Sequence, residues 1–338
     1  MSLFPDRHLK FPAGLWLGVL AALGSVCRAA EESPVAPVPS ARRWGVILQG
    51  LPGDAPHARQ FRKVTGELRT WLVDSLEFPA EQVISLPESP GGEAEQAPPL
   101  TAEQIRSTLA QLTPQLQPDD AVWIFTVGHG SHDGQRAWFH VAGPDPSDVD
   151  LADWLAALPC REQVLWLTHS SSGWLVKPLS RPGRIVIAAT AADDEPNETE
   201  FPQALVSVVR RPPPPASPQP EGEGARDWNV AALYTAVVAE VGRRFRADNR
   251  LPTEHAQLDD NGDGVGTETH NPSPPDDSTA GTPSTDNPAT TSPPKGSPPR
   301  RDGALARSVI VPDRRRAPAS DPASAPTSDP SSSKSSRD

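Results

Sequence analysis

The feature that most constrains this chain is the run Ala121-Val-Trp-Ile-Phe-Thr-Val127, the most apolar strand-like segment in it, with no charge and no break. A strand with one face in water alternates apolar with polar residues. An unbroken run predicts a strand covered on both faces, the pattern of parallel sheets. Gly45 to Gln49, Val83 to Leu86, Gln163 to Thr168 and Arg184 to Ala189 read as further strands. Between them Phe61, Val64, Leu68, Trp71, Leu72 and Leu76 recur at helical spacing over 58–76. Thr101-Ala-Glu-Gln104 is a capping box opening a helix with Ile105, Leu109 and Leu112. A hairpin strand is expected over 137–141, a short helix over 151–158, and a last long helix carries Val230, Leu233, Val237, Val241 and Phe245. Strands alternating with helices predict an α/β fold: a mostly parallel central sheet with helices on both faces, in three layers.

Composition limits where that fold can lie. The 42 prolines concentrate outside the segments just named. Residues 266–302 and 312–338 are Pro/Ser/Thr/Asp tracts with almost no large apolar residue, so they are expected to be disordered. Residues 211–227, with four consecutive prolines, read as a Pro-rich excursion from the domain. The domain itself is expected over 44–265, preceded by a linker at 30–43, and 303–311 is apolar enough to return as a strand. At the N-terminus, Arg7 and Lys10 precede an apolar run from Phe11 to Val26 and then Cys27-Arg-Ala-Ala30. That is the plan of a secretory signal peptide over 1–29, and the run is short for a bilayer span of about 20 residues. The chain is therefore expected to be exported, to a periplasmic or extracellular site, with an uncleaved N-terminal anchor as the alternative and no other integral membrane segment. A net charge of −12 argues against a nucleic-acid partner. Two cysteines, Cys27 and Cys160, exclude a disulfide framework. Cys160 precedes a strand at its amino end and reads as a small buried apolar residue.

Two strand ends carry residues able to do chemistry. The run 121–127 leads into Gly128-His-Gly-Ser131, and the run 163–168 into His169-Ser-Ser-Ser-Gly173. In an open parallel sheet, functional groups gather at the carboxyl ends of the strands. A histidine flanked by glycines at one end and a serine-rich turn at another form a candidate base–nucleophile pair. The glycines permit close backbone approach, and Gly173 is a candidate for freeing amides toward an oxyanion. His132 and His169 flank this region as polar lining, without metal-ligand spacing.

The sequence Trp123-Ile-Phe-Thr-Val-Gly-His-Gly-Ser131 followed by Val164-Leu-Trp-Leu-Thr-His-Ser-Ser-Ser-Gly173 resembles the caspase–hemoglobinase group, and within it the legumain-like peptidases and their bacterial relatives. The likeness spans about residues 44–260. It implies that His129 takes the place of the catalytic histidine, Ser170 that of the nucleophilic cysteine, and that Gly130 and the amide of residue 170 border the oxyanion hole. The departure is Ser170 itself. A thiol with an ordinary pKa near 8.5 is readily poised beside a histidine. A serine hydroxyl is a far weaker acid, and serine hydrolases orient their base with a buried carboxylate. Asp133 and Asp145 are the nearby acids, both in loops, and Trp174 places bulk at the cleft. The expected protein is thus an exported pseudopeptidase that binds peptides or a protein partner. Two alternatives stay open: a hydrolase using His129 and Ser170, and an envelope spacer with disordered arms.

Asp259-Asp-Asn-Gly-Asp-Gly264 resembles the first half of a calcium loop, with Asp259, Asn261 and Asp263 as candidate ligands; His270 stands where the bidentate Glu belongs. An acidic structural turn is the other reading, and no other cofactor is expected. Asn197-Glu-Thr199 is a glycosylation sequon.

Overall fold

The computed structural model describes residues 41–87, 98–193, 195, 197–214, 228–268 and 302–315. The expected signal segment 1–29, nearly all of the expected linker 30–43, most of the expected excursion 211–227 and nearly all of 266–302 and 312–338 lie outside the described residues.

The first strand, β1 (Arg43–Gln49), begins two residues before the expected Gly45 and leads into helix α1 (Ala55–Thr70), capped by Asp54, whose side chain accepts from the His57 amide. The expected helix to Leu76 continues past α1 as one wide π turn, Trp71–Ser75, which buries Trp71 and Leu72. Then come β2 (Val83–Leu86), α2 (Ala102–Leu112) and β3 (Ala121–Val127). The capping box at the start of α2 is formed as the sequence implies. Strands β4 (Gly130–His132) and β5 (Ala137–Phe139) make a small antiparallel hairpin. Helix α3 (Asp148–Ala156) starts earlier than expected because Ser147 and Asp150 form a second capping box. β6 (Glu162–Leu167), the short α4 (Val176–Leu179), β7 (Arg184–Ala188), α5 (Phe201–Val209), α6 (Val230–Ala247), β8 (Gln257–Asp259) and α7 (Ala304–Ser308) complete the order.

The main sheet runs β2-β1-β3-β6-β7-β8, with parallel pairing except between β7 and β8. All seven residues of β3 are buried. Because side chains alternate across a strand, Val122 and Ile124 point to one face and Trp123, Phe125 and Val127 to the other. One face packs on α1, α5 and α6 through Leu68, Leu205 and Val237; the other packs on α2, α3 and α4 through Leu109, Leu155 and Leu179. The sequence therefore reads correctly as a mixed α/β protein with a mostly parallel sheet between two helical layers. Among the described residues, no helix is long and apolar enough to cross a membrane.

Segment 303–311 departs from expectation. It forms α7, not a strand, and only Ile310 makes an isolated bridge, to Asn229. The cause lies elsewhere in the chain: the Asp260 carboxylate accepts the amides of Gly303 and Ala306, both at 2.7 Å, and so caps the helix from outside. Ala306, Val309 and Val311 still reach the core.

Candidate functional site

Parallel register carries the ends of four strands to one edge. Gln49 pairs with Val127, Thr126 with Leu167, and Leu167 with Ala188. The segments that follow are Gly50–Asp54, Gly128–Gly130, Thr168–Gly173 and Ala189–Thr190, so His129, Gly130, Ser170 and Gly173 share this edge as the sequence places them.

The contact between Gly130 and Ser170 is intimate. The Ser170 hydroxyl donates to the Gly130 carbonyl at 3.0 Å and accepts from the Gly130 amide at 3.2 Å. A Cβ at Gly130 would lie 2.5 Å from His169 Nδ1 and 2.7 Å from the Ser170 carbonyl oxygen, so only glycine permits this approach. Ser171 follows with φ +58°, in the left-handed region, and bends the chain from the end of β6 into the 3-10 turn Ser172–Leu175. That bend turns the Ser170 side chain back toward Gly130, and Ser170 is buried.

His129 does something else. Its Nε2 faces the Pro52 carbonyl at 3.4 Å, and its ring packs against His57 and Phe61, each 5.2 Å away between centroids. Among the described residues, no hydrogen bond joins His129 to Ser170 and none joins it to a carboxylate. Asp133 is held by the amides of Gln135 and Arg136, and Asp145 by that of Val141. Burial, helped by the neighbouring charge of His57, holds the His129 ring below its ordinary pKa, so it is a neutral imidazole at neutral pH.

The Gly173 amide donates to Thr190 Oγ1 at 3.0 Å, and a Cβ there would come within 2.2 Å of the Ala191 backbone. Its glycine is needed for packing, and its own amide is taken by Thr190. The Gly130 amide is occupied by Ser170.

The other histidines divide by environment. His169 is buried; Nδ1 donates to the Ser170 carbonyl at 2.9 Å, Nε2 finds no partner among the described residues, and burial pushes its pKa down to about 4. His132 stacks on Trp174 with centroids 4.5 Å apart, and Trp174 Nε1 donates to the Asp193 carbonyl at 3.1 Å. This pair stacks β4 on the turn that follows β6. Cys160 sits before β6, at the opposite edge of the sheet, and burial raises its thiol pKa to about 11.

The acidic turn is tied internally. Asp259 accepts the amides of Gly262 and Gly264, Asn261 that of Asp263, and Asp263 that of Val265. These oxygens point to their own turn instead of converging on a shared centre, and among the described residues no group of three or more His, Cys, Asp or Glu side chains could hold a metal.

Sequence reasoning passed over three groups at the mouth: Asp54, His57 and Glu198. His57 follows the end of β1, where the same strand-end rule applied to His129 would have found it. Glu198 lies inside the Asn197–Thr199 sequon, and no sequence signal ties its carboxylate to His57.

No family model matches the chain, and no curated protein matches it. Among solved structures it is similar to protein GSU0716 from Geobacter sulfurreducens, at 11% identity and a TM-score of 0.42 over 64% of this chain and 92% of that one. It is also similar to drICE, at 12% identity and a TM-score of 0.35 over 64% of this chain and 87% of that one. These are distant likenesses of chain path.

Proposed function

We propose that this chain is an exported, caspase-like pseudopeptidase whose strand-end cleft holds a peptide or a protein partner without cleaving it. The observation that carries this reading is the double engagement of the Ser170 hydroxyl by the amide and carbonyl of Gly130. A nucleophile must surrender its proton to a base, yet this hydroxyl donates to a backbone carbonyl and makes no hydrogen bond to His129. Among the described residues no carboxylate hydrogen-bonds His129, so the aspartate function of a serine triad has no counterpart among them. The Gly130 amide, one of the two groups the resemblance assigns to the oxyanion hole, is taken by the same hydroxyl. What remains is a strand-end edge flanked by the stacked His132 and Trp174 rings, where a peptide would lie without meeting an activated nucleophile.

The test is incubation of the purified protein with a peptide library beside a Ser170→Ala control. Capture of peptides without turnover is the expected outcome. Hydrolysis by the native protein that disappears in Ser170→Ala overturns the reading. A Ser170→Cys protein tests the ancestry of the cleft: appearance of cleavage there, absent in the native chain, marks the hydroxyl as the lesion.

A further inference from the structure

His57 sits between two carboxylates from different parts of the chain. Its Nδ1 meets Asp54 Oδ1 at 2.7 Å, and its Nε2 meets Glu198 Oε2 at 2.8 Å. Asp54 ends the β1–α1 loop, whereas Glu198 belongs to the β7–α5 loop, 141 residues from His57 in sequence. A carboxylate at neutral pH only accepts, so each ring nitrogen has to donate, and a ring donating from both nitrogens is an imidazolium. From these contacts we infer that His57 is a proton-operated clasp that ties the β7–α5 loop to the start of α1 across the mouth of the cleft.

The geometry also says which link breaks when the proton leaves. Asp54 Oδ1 already accepts the His57 backbone amide at 2.9 Å as the cap of α1, and it stands three residues from the ring. Keeping that local bond orders nothing new, so the neutral ring retains its proton on Nδ1. Nε2 then turns a lone pair toward the Glu198 carboxylate, and the attraction that held the loop becomes repulsion. The remaining tie from α1 to Glu198 is the Gln60 side-chain amide, donating at 3.1 Å. The other charged or titratable group packed on His57 is His129, edge-on at 5.2 Å, and Phe61 covers the ring from α1.

Glu198 and Gln60 also border a cavity of about 550 Å³ between α1, α5 and α6. Release of the clasp therefore frees part of the rim of this cavity. Hydrogen bonds from His57 to Glu198 and to Asp54 raise its pKa above the ordinary histidine value. A raised pKa means the link is whole below about pH 6.5, down to where carboxylates take up protons, and is lost as pH rises through the folded value.

The inference does not depend on peptide binding, and its test uses none. The full chain is titrated between pH 5 and 9, following the His57 ring by NMR and amide exchange of residues 197–200 corrected for the intrinsic rate. The expected result is a His57 pKa above 6.5, with protection of 197–200 falling about fivefold as pH passes it. In His57→Gln the protection should be low and flat across the range, and Glu198→Gln should lower the His57 pKa. A native His57 titrating at or below 6.5, or protection of 197–200 that ignores pH, overturns the clasp.

Discussion

Ser170 Oγ and the backbone of Gly130 form a closed pair, with the hydroxyl donating at 3.0 Å and accepting at 3.2 Å. Removing the hydroxyl leaves a buried amide and a buried carbonyl without their partner. Ser170→Ala should therefore lower stability by about 1–3 kcal/mol. Denaturant melts would show this as a lower midpoint at unchanged slope. A midpoint equal to the native one would mean that the pair contributes nothing.

Gly173 offers a sharper contrast. A Cβ at that position would meet Ala191 C at 2.2 Å and the Thr190 carbonyl oxygen at 2.4 Å, both backbone atoms that cannot swing aside. Gly173→Ala should cost at least about 3 kcal/mol or prevent folding. Gly66 has no heavy atom within 4 Å of the equivalent position, so Gly66→Ala is the matched control and should be neutral or slightly stabilising. Thermal melts of the two variants compare the effects directly.

Arg184 is buried without a carboxylate. Its guanidinium donates to Gln163 Oε1 and to the carbonyls of Leu179 and Leu155, tying α4 and α3 to the sheet. Burial draws its pKa down to about 10. Arg184→Met fills much of the volume but strands three acceptors, an expected loss of about 3 kcal/mol in chemical unfolding. Arg184→Lys should recover only part of this, since one ammonium cannot span the same acceptors.

His169 gives the domain an acid limit. With its folded pKa near 4 and an unfolded value near 6.5, the unfolded chain binds the proton first. Stability is then unaffected above about pH 6.5 and declines as pH falls toward 4, by up to about 3 kcal/mol in all. His169→Phe, packed against Phe139 at the same place, should flatten that part of a stability-versus-pH curve. An identical slope in native and variant proteins would remove His169 as the cause.

Much of the architecture was legible because local signals agreed with one another. The apolar run of β3, the capping box at Thr101 and the apolar spacing along α6 each point to one conformation, and the structure adopts it. The failures have a common cause. β8 is three residues long, α5 carries Pro202 in its first turn amid Val and Phe, and α7 is capped by Asp260 from a distant turn. None of these has a local signature strong enough to be read alone. The mouth of the cleft follows the same logic: His129 was visible as a strand-end residue, but its neighbours His57 and Glu198 meet only through folding.

By itself the sequence determined that strands alternate with helices, that the sheet is mostly parallel, and that His129 and Ser170 leave the same edge of it. Periodicity and strand order suffice for that, because they depend on which residues face a core. Only the tertiary structure decided where the Ser170 hydroxyl points, that Gly173 is required by packing, and that His57 joins two loops. Hydrogen-bond partners are chosen at distances near 3 Å between segments far apart in the chain, and no linear pattern encodes such a choice.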